Sequence, residues 1–146
     1  MIKESHLELV RTHGSKFGRV LLGLLFLVSG LLMLTVQGPA AIGGYFASLG
    51  IPLAGVVAWV VIIFKIVAGG AVVIGKRTTE AAAGLIVFTL IATLLGHLSA
   101  EVDPTFPIGL LKNLAIVGGL LYLMAFGPHG MNVIGDDPWE KTNQAS

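Results

Sequence analysis

Charge is absent from most of this chain, and its absence decides what the chain can become. No charged residue lies between Val20 and Val36, and only Lys65 lies between Gly38 and Gly75. Ala81 to Ala100 is again uncharged, and Thr105 to Gly135 holds only Lys112. A helix that crosses a bilayer takes about 20 mostly apolar residues. Stretches near 18–36, 52–75, 79–100 and 107–126 meet or approach that length. They are apolar all round, where the helices of a water-soluble bundle would carry a polar stripe. The composition agrees, with 12% charged residues against about a quarter in soluble domains. A cleaved signal peptide over residues 16–40 is not expected, because no small-x-small site closes an apolar run of the right length.

The expected fold is therefore all-α, an integral membrane four-helix bundle. Lys3, Arg11, Lys16 and Arg19 precede the first span, Lys76 and Arg77 separate the second from the third, and Lys141 lies in the tail. With an even number of spans these residues share one side, which the positive-inside rule makes cytoplasmic. Both termini are thus expected in the cytoplasm, with the chain multi-pass in a bacterial cytoplasmic (inner) membrane. The domain scheme is an N-terminal cytoplasmic segment over 1–17, a four-helix domain over 18–127 and a cytoplasmic tail over 128–146.

Local signals fill in the connections. Residues 1–17 suit a short surface helix capped by Ser5, with Leu7, Leu9 and Val10 as apolar positions. The first outer connection, QGPAAIGGYFASLGIP, predicts a short amphipathic helix. Pro39 suits a first helical position, Gly50 before Pro52 a stop, and Tyr45 and Phe46 an interfacial anchor. The tight connection GKRTTE makes the second and third spans antiparallel neighbours, with Thr78 or Thr79 as cap. The glycine pairs of IVAGGAVVIG and AIVGGLLYLMAFG form a weak internal echo.

The chemistry rests on few groups. There is no cysteine, which removes disulfides, thiolate metal sites and iron–sulfur ligation from this chain. No nucleic-acid or nucleotide motif is present, so nucleic acid is not an expected partner. A bis-histidine haem needs two intramembrane histidines, and only His97 lies near a span. Glu101, Asp103 and His97 are close in sequence and read as a solvated loop rather than a metal site.

What remains is a polar seam. A wheel at about 3.6 residues per turn puts Ala54, Ala58, Val61, Gly69 and Val72 on the Lys65 face. Small residues mark the side where another helix comes close, so Lys65 is expected to point into the bundle. Thr89, Thr93 and His97 form one row, with Val87, Ile91, Leu94 and Leu98 opposite for lipid. Arg19, Gly23, Phe26, Gly30 and Met33 form a row on the first span, with Ser29 beside it. The fourth span adds Asn113, while Lys112 points about 100° away and can snorkel to the outer surface. The expected seam is Ser29, Lys65, Thr89, Thr93, His97 and Asn113. The threonine hydroxyls can also simply bond their own helix four residues back. Lys65 is the outlier, since a charged lysine at mid-membrane costs about 2.5–3.5 kcal/mol.

Four ordered motifs carry a resemblance: GRVLLGLLFLVSGLLML, GYFASLGIP, GLIVFTLIATLLGH and LKNLAIVGGLLYLMAFGP. From about Phe17 to Pro128 the chain resembles the DoxX family of small bacterial four-helix membrane proteins. The family is named for a small subunit of a terminal quinol oxidase, later linked to thiosulfate:quinone oxidation, and many members have no known activity. Arg19, Ser29, His97, Lys112 and Asn113 match the family pattern. Met33 stands where the resemblance implies a lysine, and Lys65 where it implies a glutamate. The intramembrane ion pair that the resemblance implies is therefore missing, and the ending after the fourth span is altered to GPHGMNV.

Together these features imply a subunit of a quinone-linked or other membrane oxidoreductase complex, accessory rather than catalytic. Membrane lipids and other membrane subunits are the expected partners. No cofactor is expected on this chain alone, although a quinone could contact it. The alternatives are a stand-alone carrier of a small anion, and a structural or assembly protein of the membrane. Against a carrier, no span is broken in the way transporter sites usually are.

Overall fold

The computed structural model describes residues 4–98 and 106–127. Helix α1 runs from Glu4 to Leu32 and passes without a break into a π-helical segment, Met33–Gln37. Helix α2 spans Pro39–Ser48, α3 Ala54–Ile74, α4 Thr78–Leu98 and α5 Phe106–Phe126. Four of these stretches are long and apolar enough to cross a membrane: His6–Gln37, Ala54–Ile74, Thr78–Gly96 and Pro107–Phe126.

The first expectation to change is the separate surface helix over residues 1–17. Ser5 lies inside α1 rather than ahead of it, and the helix runs straight through Gly14 and Gly18. Neither position holds a proline, and an isolated glycine weakens a helix by only about 1 kcal/mol. The 32 residues of the first span would measure about 48 Å at 1.5 Å per residue. A hydrocarbon core is about 30 Å thick, so the beginning of α1 projects beyond it.

The turns follow from glycine and proline. Gly38 adopts φ 80°, and Pro39 then opens α2 at a position where a missing N–H costs nothing. At the other end, the Gly50 amide donates to Ala47 O at 3.0 Å and the Ile51 amide to Phe46 O at 3.1 Å. With Gly50 at φ 76° this is a Schellman ending, as the Gly–Ile–Pro stretch suggests. Gly75, at φ 84°, ends α3 by donating to Ala71 O. The expected threonine cap of α4 is corrected. Arg77 occupies the cap position at φ 50°, its carbonyl accepting from the Ala81 amide at 3.0 Å, and Thr78 is already the first helical residue.

Packing centres on α3, which contacts α1, α2 and α4. Its buried residues are Ala58, Ile62, Ala68, Gly69 and Val72. That is a broader face than the small-residue row alone, because helices cover α3 on more than one side. The α1–α3 interface is close. A methyl group added at Gly69 would lie 2.5 Å from the Leu27 amide nitrogen, and one at Gly23 would lie 2.7 Å from the Val73 nitrogen. Helix α5 packs on α4 and returns to α1, where Gly119 faces the Leu22 side chain at 3.2 Å from an added methyl. Helix α2 rests on the start of α3, with Gly43 against Gly55. The core joins Phe26, Ala68, Val72, Ala82, Leu85, Leu120 and Leu123.

Outside this core the surface is apolar. Leu21, Val28, Trp59, Ile63, Val67, Val87, Ile91, Leu94, Ile108 and Leu121 are all exposed. Four such helices have no stable arrangement in water, and lipid is the solvent that suits their outer faces. The protein is an all-α, multi-pass membrane bundle.

Candidate intramembrane polar site

Lys65 sits near the middle of α3, and its position is set by the α1 glycines. A methyl group at Gly30 would come within 3.1 Å of the Lys65 Cβ, so α1 leaves just enough room for the lysine stem to pass. The stem runs half-buried to Met33, where Nζ lies 3.5 Å from the sulfur, Sδ. The same Nζ stands 5.6 Å from the centre of the Phe88 ring on α4, within cation–π range. Phe88 in turn packs against Phe64 at 6.0 Å between ring centres. The lysine thus points between α1, α3 and α4, as its small-residue face predicts.

Met33 opens the π-helical segment. Within that segment the Thr35 hydroxyl donates to Leu31 O at 2.8 Å. A hydroxyl that competes for a helix carbonyl loosens the regular ladder, and a widened turn accommodates it. Short π segments recur where a helix carries a functional group. Here the segment begins at the residue that receives Lys65.

The other polar groups form a separate hydrogen-bonded chain between α4 and α5. Thr89 is 5% exposed, and its hydroxyl donates to Leu85 O at 2.7 Å. Thr93 donates to Thr89 O at 2.6 Å, and Asn113 Nδ2 donates to Thr93 Oγ1 at 2.9 Å. The structural role weighed for the threonines is present, with an interhelical bond added to it. Ser29 bonds Phe26 O of its own helix at 3.2 Å. Among the described residues no hydrogen bond links Lys65 to Ser29, Thr89, Thr93 or Asn113. Hydrogen bonds thus join Asn113 to the threonine row across α4 and α5, while Lys65 meets Met33 and Phe88. Helical wheels give the face of a residue but not its depth against the neighbouring helix.

Lys112 is exposed and Asn113 half-buried, in line with the expected angle between them. His97 lies in the last turn of α4, and its side chain, with Glu101 and Asp103, falls outside the described residues. The ion pair among the described residues, Arg77 with Glu80, is on the surface at 3.7 Å. No group of three or more histidine and carboxylate side chains able to hold a metal converges among the described residues.

Two contacts were not anticipated. Phe88 reaches Lys65, and an aromatic residue beside the threonine row was its only signal. Arg19 packs against Gly75 at the end of α3, and a methyl group there would collide with its Nη1. The signal for this contact was an arginine at the edge of the first span together with a glycine directly after the second.

Comparison with known proteins fits this geometry. The sequence matches the family model described as DoxX over residues 14–98, more than half of the chain. The chain belongs to the DoxX family. No curated protein and no solved structure matches it. The matched region covers α1 to α4, while α5 lies beyond it, so the family match ends before the resemblance noted up to Pro128. DoxX proteins are small membrane proteins often linked to oxidoreductase-related functions. Met33 and Lys65, the two positions where the resemblance implies a lysine and a glutamate, are direct neighbours in space.

Proposed function

We propose that this DoxX chain is an accessory subunit of a membrane oxidoreductase complex, quinone-linked or other, in the bacterial cytoplasmic membrane. Both termini lie on the cytoplasmic side, and Lys65 is completed from outside the chain. A carboxylate of a neighbouring subunit, a quinone oxygen or a lipid headgroup would serve. The observation that carries this reading is the immediate setting of Nζ, a thioether at 3.5 Å and an aromatic face at 5.6 Å. Neither is a strong acceptor or a counter-charge. A mid-span lysine left with such neighbours marks a functional position by default. The hydrogen-bonded α4–α5 side, whose amide and hydroxyls already answer one another, gives a partner less to bind.

The test is extraction of the native complex in mild detergent, followed by mass spectrometry of the intact assembly and a visible spectrum of the same sample. The expected result is co-extraction with larger redox subunits that is lost in Lys65→Met. A protein that runs alone, with association and stability indifferent to Lys65→Met, would overturn the reading. Flux of a small anion into liposomes that depends on Lys65 would replace it with the carrier. Reporter fusions at either end test the sidedness, and an extracytoplasmic terminus refutes it.

A further inference from the structure

Of the groups around Lys65, the Met33 sulfur is the one whose chemistry can change. Nζ lies 3.5 Å from Sδ, and a thioether accepts a hydrogen bond only weakly. Loss of two electrons turns the thioether into a sulfoxide, a polar group with an oxygen on the sulfur. An oxygen set to one side of the line from Sδ to Nζ comes within about 2.9 Å of the amine, an ordinary hydrogen-bond length. Two features leave the sulfur open to an oxidant. Met33 is half-buried and opens the π-helical segment, where the turn is wider than in an α-helix. It also stands close to the end of the first span at Gln37, about 6 Å from it at 1.5 Å per residue. Thr35, Val36 and Gln37 beyond it are exposed. Met124 offers a contrast within the same chain. It too is half-buried, on α5, and packs against the apolar core. A sulfoxide there would set a polar oxygen among hydrocarbon, the usual damage of methionine oxidation.

We propose that Met33 is an oxidation site whose sulfoxide is held by Lys65, so that oxidation satisfies the amine from within the chain. This rests on the reading that Lys65 lacks a strong acceptor of its own, and it adds a regulation to that site. The oxidised chain has less need of an outside acceptor and assembles less well. The oxidant is a peroxide. With hydrogen peroxide, a sulfur lone pair takes one oxygen, the O–O bond breaks, and the other oxygen leaves as water with both hydrogens. Sulfur gives up two electrons and the peroxide takes them. Lys65 neither gains nor loses a proton overall, and its N–H turns from the sulfur to the new oxygen. Oxidation elsewhere weakens a protein by making an apolar side chain polar. Beside an amine short of an acceptor the sign reverses, because a hydrogen bond from a charged group is among the stronger ones.

The experiment uses the full chain in detergent with Met124→Leu and Met131→Leu, treated with hydrogen peroxide and mapped by peptide mass spectrometry. One added oxygen is expected on the peptide that holds Met33, and the unfolding midpoint is expected to rise by about 4 °C. Adding Met33→Leu is expected to abolish the rise, which separates Met33 from oxidation at Met1. Adding Lys65→Leu is expected to turn the rise into a fall. The sign in the chain that keeps Lys65 is decisive by itself, so the test survives a Lys65→Leu variant that does not fold. A Met33 that stays reduced, or a midpoint that falls on its oxidation with Lys65 present, overturns the inference. In the native complex, peroxide should lower co-extraction of other subunits with the parent chain and not with Met33→Leu, and co-extraction indifferent to peroxide overturns the regulation. A chain that Lys65→Met stabilises, yet Met33 oxidation destabilises, overturns this inference and leaves the subunit reading standing.

Discussion

Gly69 and Gly70 are adjacent on α3 and make opposite demands on a side chain. A methyl group at Gly69 would lie 2.5 Å from Leu27 N, 2.9 Å from Gly23 O and 3.0 Å from Leu27 Cα, all backbone atoms of α1. Nothing in that set can rotate away, so the substitution must push the helices apart. Restoring ordinary contact near 3.5 Å requires a separation of about 1 Å along the crossing. That gap forfeits a quarter to a half of each dispersion contact it opens, and overpacking of this kind costs about 1–3 kcal/mol. A methyl group at Gly70 meets nothing within 4 Å. There the gain is helix propensity, up to about 1 kcal/mol in water and less in a bilayer.

Gly69→Ala should therefore lower the unfolding midpoint of the protein in detergent, by an amount equivalent to about 2 kcal/mol. Gly70→Ala should leave the midpoint unchanged or raise it. The assay is loss of the monodisperse peak on size-exclusion chromatography after heating, run on both variants side by side. Equal midpoints, or a larger loss for Gly70→Ala, would refute the argument that α1 and α3 meet backbone to backbone at Gly69.

Leu53 is 78% exposed and left-handed at φ 52° just ahead of α3, a conformation that costs a non-glycine residue about 1–2 kcal/mol. Leu53→Gly should raise the unfolding midpoint by the equivalent of about 1 kcal/mol, and a lower midpoint would count against the strain. The bond from Asn113 to Thr93 should show a coupling of about 0.6 kcal/mol in a thermal double-mutant cycle of Asn113→Ala and Thr93→Val, and additive effects would mean that the bond contributes nothing.

The spans were legible because a bilayer imposes one crude rule on composition, and the gaps between Arg19, Lys76, Arg77 and Lys112 follow it. The interior face of α3 was legible for a related reason. Ala58, Gly69 and Val72 are small where a neighbour approaches, and all three are buried. The α2 helix was legible in Pro39 and Gly50, whose backbone limits act locally. What escaped was whatever depends on register between helices. A wheel put Ser29, Lys65, Thr93 and Asn113 on interior faces, but only the depth of α5 against α4 decides that Asn113 meets Thr93. The same holds for Phe88 meeting Lys65. The cap of α4 was misread because Thr78 is a good capping residue by type, while the tight turn from Gly75 placed Arg77 at the cap and left Thr78 buried at 4%.

Magnitudes decide how Lys65 should be understood. A charged lysine at mid-membrane costs about 2.5–3.5 kcal/mol, and one aromatic face returns about 0.5–1 kcal/mol at a half-exposed site. The Met33 sulfur, a weak acceptor, adds little to that. A deficit of about 2 kcal/mol remains on the chain, a sizeable fraction of the 5–15 kcal/mol that separates folded from unfolded proteins. A methionine fits much the same volume without a charge to desolvate. Lys65→Met should therefore stabilise the isolated chain in detergent while weakening its assembly with other subunits. Those two signs belong together only if the lysine is answered from outside. Should Lys65→Met instead destabilise the isolated chain, then Met33 and Phe88 already satisfy the amine, and the case for an outside acceptor loses its physical basis.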